Sequence, residues 1–356
     1  MAKMSMRDRI LAVIQGREHD RVPFVQYDGI AAPNQQVWDV IGRDNLGIIR
    51  WSSVCRMEHP NCRYERQEYQ QNDRKGIRTT LHTPAGRLTE ERLVEPIYGS
   101  SHITRHYIQE PNDYKVFLAY LRDVRVLDNV QQFLRDQQQL GDDGVPMVAV
   151  GRTPYQQLWI QWVSIENLAL HLVDCPDLMD EVMSEMARIQ RQTFEFVRKA
   201  PIPFVDFPDN ITAPTIGERY FRQYCVPLYN ELADMLADKG VPVFVHMDGD
   251  LKPLAKAIGE SKVRGIDSFS PAPDNDTTVA EAVRAWPRMR LLINFPSSVH
   301  LKSPAEIYAQ TERMLAEGGR TGRLQIQISE NVPPGVWRTS FPEIVKAIHA
   351  FGRPGE

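Results

Sequence analysis

In the segment Val243-Phe244-Val245-His246-Met247-Asp248-Gly249-Asp250 an imidazole and a carboxylate stand two residues apart. On an extended chain both side chains project to the same side, and Gly249 lets the backbone turn immediately afterwards. Such a pair can ligate a metal ion or pass a proton. A plainer use is also open, with Asp248 as the N-cap of a helix over 251–258. Glu330 follows the apolar run Leu324–Ile328 and precedes Asn331-Val332-Pro333-Pro334, whose prolines keep a helix from starting at once. Its carboxylate either completes a set with His246 and Asp248 or caps a turn or pairs with an arginine.

Further polar residues fall just after apolar runs, where they would line a substrate pocket: Gln26 and Tyr27, Asp209 and Asn210, and Asn294. Asp209-Asn210 suits substrate hydroxyls and equally suits an Asx turn. Tyr155, Trp159 and Trp162 lie close together and offer a wall for an aromatic or apolar ligand, or simply core.

These side chains need a scaffold that gathers strand ends. Apolar runs at Val22–Gln26, Met147–Val150, Phe204–Phe207, Val243–Met247, Gly265–Phe269, Leu291–Phe295 and Leu324–Ile328 read as buried parallel strands. Helical patterns separate the later ones, with capping boxes predicted at Thr278/Glu281 and Ser303/Glu306, and further helices over about 176–199 and 217–239. Strand and helix alternate, which predicts a single (β/α)8 TIM-type barrel with one strand not visible, its polar residues collected at the strand C-termini. The stretch 1–16 forms an N-terminal helical extension. Residues 51–110 are an irregular excursion rich in Arg, Glu, Gln and Thr; a β-hairpin at 79–89 is expected there, inserted between the first strand and the second. One domain over 1–356 is the expected organisation.

Composition narrows the function. Lys plus Arg at 42 against Asp plus Glu at 46 gives a net charge of −4, with no basic run to follow a phosphate backbone, so nucleic acid is excluded as a partner. Cys55, Cys62, Cys175 and Cys225 show no paired CxxC spacing, which points to reduced thiols. With neither a secretion signal nor a membrane-spanning run, the expected location is the cytoplasm.

The opening Arg7-Asp8-Arg9-Ile10-Leu11 through Gly16-Arg17-Glu18-His19-Asp20-Arg21-Val22-Pro23, the middle Lys239-Gly240-Val241-Pro242 with Val243–Gly249, the Asp267 strand, and Ile293-Asn294-Phe295 together resemble the uroporphyrinogen decarboxylase superfamily. The resemblance spans nearly the whole chain, weakest over 51–110, and implies a (β/α)8 barrel with its site at the strand C-termini. Members that are true decarboxylases carry an arginine-rich segment after the first strand to bind a polycarboxylate; here Gln26-Tyr27-Asp28-Gly29-Ile30-Ala31-Ala32 stands there, and no arginine follows until Arg43. The corrinoid-dependent methyltransferase branch has a His-x-Cys pair and a later Cys that bind zinc. This chain is closer to that branch, yet has Asp248 for the first thiolate and Glu330 near the place of the second. The resemblance therefore implies a methyltransferase acting with a corrinoid (cobalamin) protein as partner, with His246, Asp248 and Glu330 as ligands of Zn or another divalent ion, or as an acid–base set. Oxygen ligands favour a methoxylated donor, aromatic ones included, over a thiol, hence O-demethylation. The alternatives are a decarboxylase of a non-porphyrin acid, using Asp28 or Asp206, and a metal-dependent hydrolase.

Overall fold

A computed structural model describes residues 4–97 and 100–354. The chain divides into two compact units, one of residues 1–54, 129–150 and 197–356 and the other of residues 55–128 and 151–196.

The first unit holds eight parallel strands: β1 Phe24–Tyr27, β2 Gly47–Ser52, β3 Gly144–Ala149, β4 Val205–Phe207, β5 Val243–His246, β6 Gly265–Phe269, β7 Arg290–Asn294 and β8 Leu324–Ile328. They close in the order β1-β8-β7-β6-β5-β4-β3-β2, and β2 pairs with β1 to complete the circle. The missing strand is therefore β2. Its sequence Gly-Ile-Ile-Arg-Trp-Ser has only two consecutive aliphatics, too few to stand out as a buried run. This corrects the placement of the excursion, which lies between the second and third barrel strands rather than the first and second. Both predicted capping boxes form, at Thr278/Glu281 and Ser303/Glu306. The helix expected over 217–239 is interrupted, because Gly217 adopts φ 62° and a π-type turn follows at Phe221–Cys225.

The lower lumen is apolar. Val25, Ile49, Val145, Met147, Phe204, Phe244 and Leu292 form one buried cluster with Ile10, Val13 and Ile14 of the N-terminal helix Met6–Gln15. That helix presents its apolar face to the barrel floor and closes it. Gly265 makes the packing possible, since a Cβ on it would overlap the Phe244 ring.

In the second unit the expected hairpin is real and larger than the sequence signal. Strand Arg74–Thr83 turns through Pro84-Ala85 into Gly86–Val94, within a four-stranded antiparallel sheet that also contains Arg63–Gln71 and Ser101–Arg105. The 71–74 turn uses Asn72 and Asp73 at φ 49° and 62°, the paired positive φ of a tight hairpin turn. Cys55–Glu58 pairs antiparallel with Arg125–Asp128 in a separate two-stranded sheet.

Candidate functional site

His246 is the last residue of β5, and the chain after it is locked to the loop after β4 by backbone bonds: Ile211 N–H to the His246 carbonyl (3.2 Å), Gly249 N–H to Ile211 (3.1 Å) and Ala213 N–H to Asp250 (2.8 Å). A Cβ on Gly249 would overlap Thr212, so only glycine permits this approach. The clamp aims Asp248 back at the imidazole, with Oδ2 3.5 Å from His246 Nε2. Asn210, held at φ 55°, donates to the same Oδ2 at 3.0 Å. The cap of the following helical turn is Asp276, whose Oδ1 accepts from the Leu251 (3.0 Å) and Lys252 (3.3 Å) amides. Asp248 is thereby left for His246.

Glu330 comes from the loop after β8. One ligand atom from each of His246, Asp248 and Glu330 lies within 4.8 Å of the others. Among the described residues no arginine pairs with Glu330, so the arginine-pair alternative does not hold.

Below this trio lies a buried polar layer. Tyr27 Oη of β1 donates to Asp267 Oδ2 of β6 at 2.5 Å and lies 3.5 Å from His246 Nδ1 and 3.1 Å from Ser268 Oγ. Gln327 Nε2 of β8 donates to Asp267 Oδ1 (2.7 Å) and Ser268 Oγ (2.8 Å), and Gln325 donates to Gln327 (3.0 Å). β1 and β8 do not adjoin β6, so these bonds cross the lumen. The reading of the strands as apolar throughout fails here: β8 alternates, with Gln325 and Gln327 on the inside. Asp267 and Gln327 are the site residues that sequence reasoning passed over. Their signal was the Leu-Gln-Ile-Gln-Ile alternation and an aspartate inside an apolar strand.

The other expected pocket residues scatter. Tyr27 and Asn210 reach the trio. Gln26 donates to Asn34 (2.6 Å) and the Ala32 carbonyl (3.3 Å), holding the loop after β1. Asp209 accepts from Tyr229, and Asn294 accepts from the Ser329 amide (3.1 Å) and hydroxyl (2.9 Å). Tyr155 is buried in the second unit, in the helical turn Pro154–Gln157.

A sequence profile of the uroporphyrinogen decarboxylase (URO-D) family matches residues 111–351. The chain belongs to that family. Among solved structures, a methyltransferase from Methanosarcina mazei shares its fold at TM-score 0.57 and 11% identity, covering 98% of this chain and 99% of the other. A B12-independent methionine synthase from Shewanella sp. W3-18-1, in complex with selenomethionine, aligns at TM-score 0.39 and 11% identity over 89% of this chain and 85% of the other. No curated protein matches the sequence. No described helix is long and apolar enough to cross a membrane.

Within this URO-D barrel the titratable groups diverge. Burial would lower the His246 pKa, but hydrogen bonds and charge from Asp248 and Asp267 outweigh it and hold the imidazole well above its ordinary value. Burial raises Asp248, yet His246 and Asn210 bring its carboxyl below the usual range. Burial, with the Asp248 charge beside it, raises Glu330. Burial, then Asp267 and Asp206, push the Tyr27 phenol well up, so it stays a proton donor. Two neighbouring carboxyls are thus pushed in opposite directions, Glu330 up and Asp248 down.

The same geometry fits a metal. His246 Nδ1 faces Asp267 Oδ2 at 3.4 Å, which leaves Nε2 directed toward Asp248. A carboxylate behind a histidine whose other nitrogen faces further carboxylates is how protein metal sites orient an imidazole ligand.

Proposed function

We propose that this protein transfers a methyl group from a small methoxylated compound, aromatic ones included, to the cobalt of a separate corrinoid protein. The observation that carries the reading is the convergence of His246, Asp248 and Glu330 at the barrel's strand C-termini, with carboxylates where the resembling methyltransferases have thiolates. The loop after β1 supports it, since it offers no arginine to a polycarboxylate before Arg43, and Arg43 is paired with Asp143 at 2.5 Å.

In such a transfer the methyl carbon leaves the ether oxygen for the electron pair of cobalt(I), and the oxygen keeps the C–O bonding pair. An alkoxide or phenoxide is a poor leaving group unless that charge is met. Glu330, raised by burial, supplies a proton to the oxygen and becomes a carboxylate. Asp248 stays ionised and holds the imidazolium of His246, and Asp267 fixes the ring from its other side. A divalent ion held by His246, Asp248 and Glu330 would polarise the ether oxygen in place of that proton.

The test is anaerobic incubation of the protein with a reduced corrinoid protein and a panel of methoxylated aromatics. The expected result is the methylcobalamin spectrum, matched mole for mole by the demethylated hydroxyl product. Demethylated product formed equally without corrinoid would replace this reading by a hydrolase. No methylated corrinoid with any donor would overturn it.

A further inference from the structure

At the opposite end of the barrel three strands in succession begin on arginine. Arg264 precedes β6, Arg290 opens β7 and Arg323 precedes β8. The ladder puts them in line, because the Arg290 amide donates to the Arg264 carbonyl (2.9 Å) and the Leu291 amide to the Arg323 carbonyl (2.8 Å). Three like charges at one level of a sheet repel, and each needs a partner.

Arg323 has its partners in the carbonyls of Met289 (2.6 Å) and Trp286 (2.9 Å). The other two are less well served. Arg290 donates only from Nη1, to the Arg288 carbonyl at 3.1 Å, while its Nε is buried with no hydrogen-bond acceptor. Burial and the charge of Arg264 both lower its pKa, and no carboxylate offsets them. Among the described residues no acid pairs with Arg264. Among the described residues that line the cavity the one carboxylate, Asp234, is held by Lys262 at 2.5 and 2.6 Å.

Both guanidinium-bearing residues line a cavity of about 530 Å³, with Ile14, Gln15, Pro242 and Lys262 among its other walls. Its geometry is set by the end of the floor helix. Gly16 takes φ 70°, and a Cβ there would overlap Arg290 Nη2, so glycine lets the guanidinium lie against the backbone. In a protein of net charge −4, two arginines in one concave site whose lining acid, Asp234, is already held by Lys262 form a local positive field.

We propose that Arg264 and Arg290 form a binding site for a small phosphate-class anion at the floor of the barrel, remote from the His246 cluster. A tetrahedral dianion can accept from two guanidinium forks at once. At this face of a barrel a bound ligand acts on stability rather than on the chemistry.

The experiment is calorimetric titration of the full chain with inorganic phosphate, paired with thermal unfolding in phosphate and in sodium chloride of equal ionic strength. Saturable binding, and a Tm that rises with phosphate beyond the salt control, are expected. Arg264→Gln, an exposed position, should weaken phosphate at least about tenfold, and Arg290→Gln should do the same if it folds. A phosphate response absent from the native chain, or equal to that of sodium chloride, overturns the site. So does a response that Arg264→Gln leaves intact.

Discussion

Three side chains, from the end of β5 and the loops after β5 and β8, share one point, and each depends on a different neighbour. His246 is oriented by Asp267, Asp248 by Asn210 and the β4–β5 loop clamp, and Glu330 by the turn after β8. Asp248→Ala should therefore reduce methyl transfer by at least ~100-fold with the barrel's circular dichroism unchanged, since a rim carboxylate contributes little to the core. Metal analysis of chelator-free protein then separates the two forms of the site, about one ion per chain for coordination and none for acid catalysis. Near-normal turnover in each of His246→Ala, Asp248→Ala and Glu330→Ala would show the trio to be structural. His246 and Asp248 were legible as a pair because alternation along a strand is a local rule. Asp267 was not, because its partners come from β1, β5 and β8.

At the scale of elements, β5 and β6 must lie close enough for Asp267 to reach His246. Gly265 sits beside Phe244 in the β5–β6 ladder and leaves room for its ring inside the lumen. Gly265→Ala forces that ring off its seat in a packed interior and should cost roughly 1–3 kcal/mol, read from the urea midpoint. An unchanged midpoint would mean that the floor of the lumen is loosely packed. Short strands of four or five residues were readable from their aliphatic runs, whereas β2, with Arg50 and Trp51 near its end, was readable only once its neighbours in the closed barrel were known.

For the whole molecule, pH acts through the packing of the last helix against the turn after β7. His300 lies in the short turn Ser297–Leu301 after β7, packs on Phe295 and Phe341, and contacts Ser340 Oγ at 2.8 Å within the helix Trp337–Phe351. Burial holds its pKa at about 4, against 6.5 for the free imidazole. The unfolded chain thus binds a proton that the folded chain refuses between these values. Stability is fully present above 6.5 and is lost as pH falls toward 4. Between about pH 7 and 5 the loss from this residue is roughly 2 kcal/mol. His246, shifted the other way, works in the opposite sense, since its contribution is full below its unfolded value and lost only as pH rises through its elevated one. His300→Gln should flatten the acid limb of the stability profile; a limb as steep as that of the native chain would assign the loss to other groups.

The sequence by itself determined the alternation of strand and helix, both capping boxes, the hairpin, and the same-side pair His246 and Asp248, because each rests on residues a few positions apart. Tertiary structure decided which polar residues share the lumen and which acid caps the turn after β5. Gln327 finds Asp267 sixty positions away, and Asp276 rather than Asp248 takes the Leu251 amide. Such choices follow from the order in which strands close and from loops that touch only after closure, so no local pattern carries them.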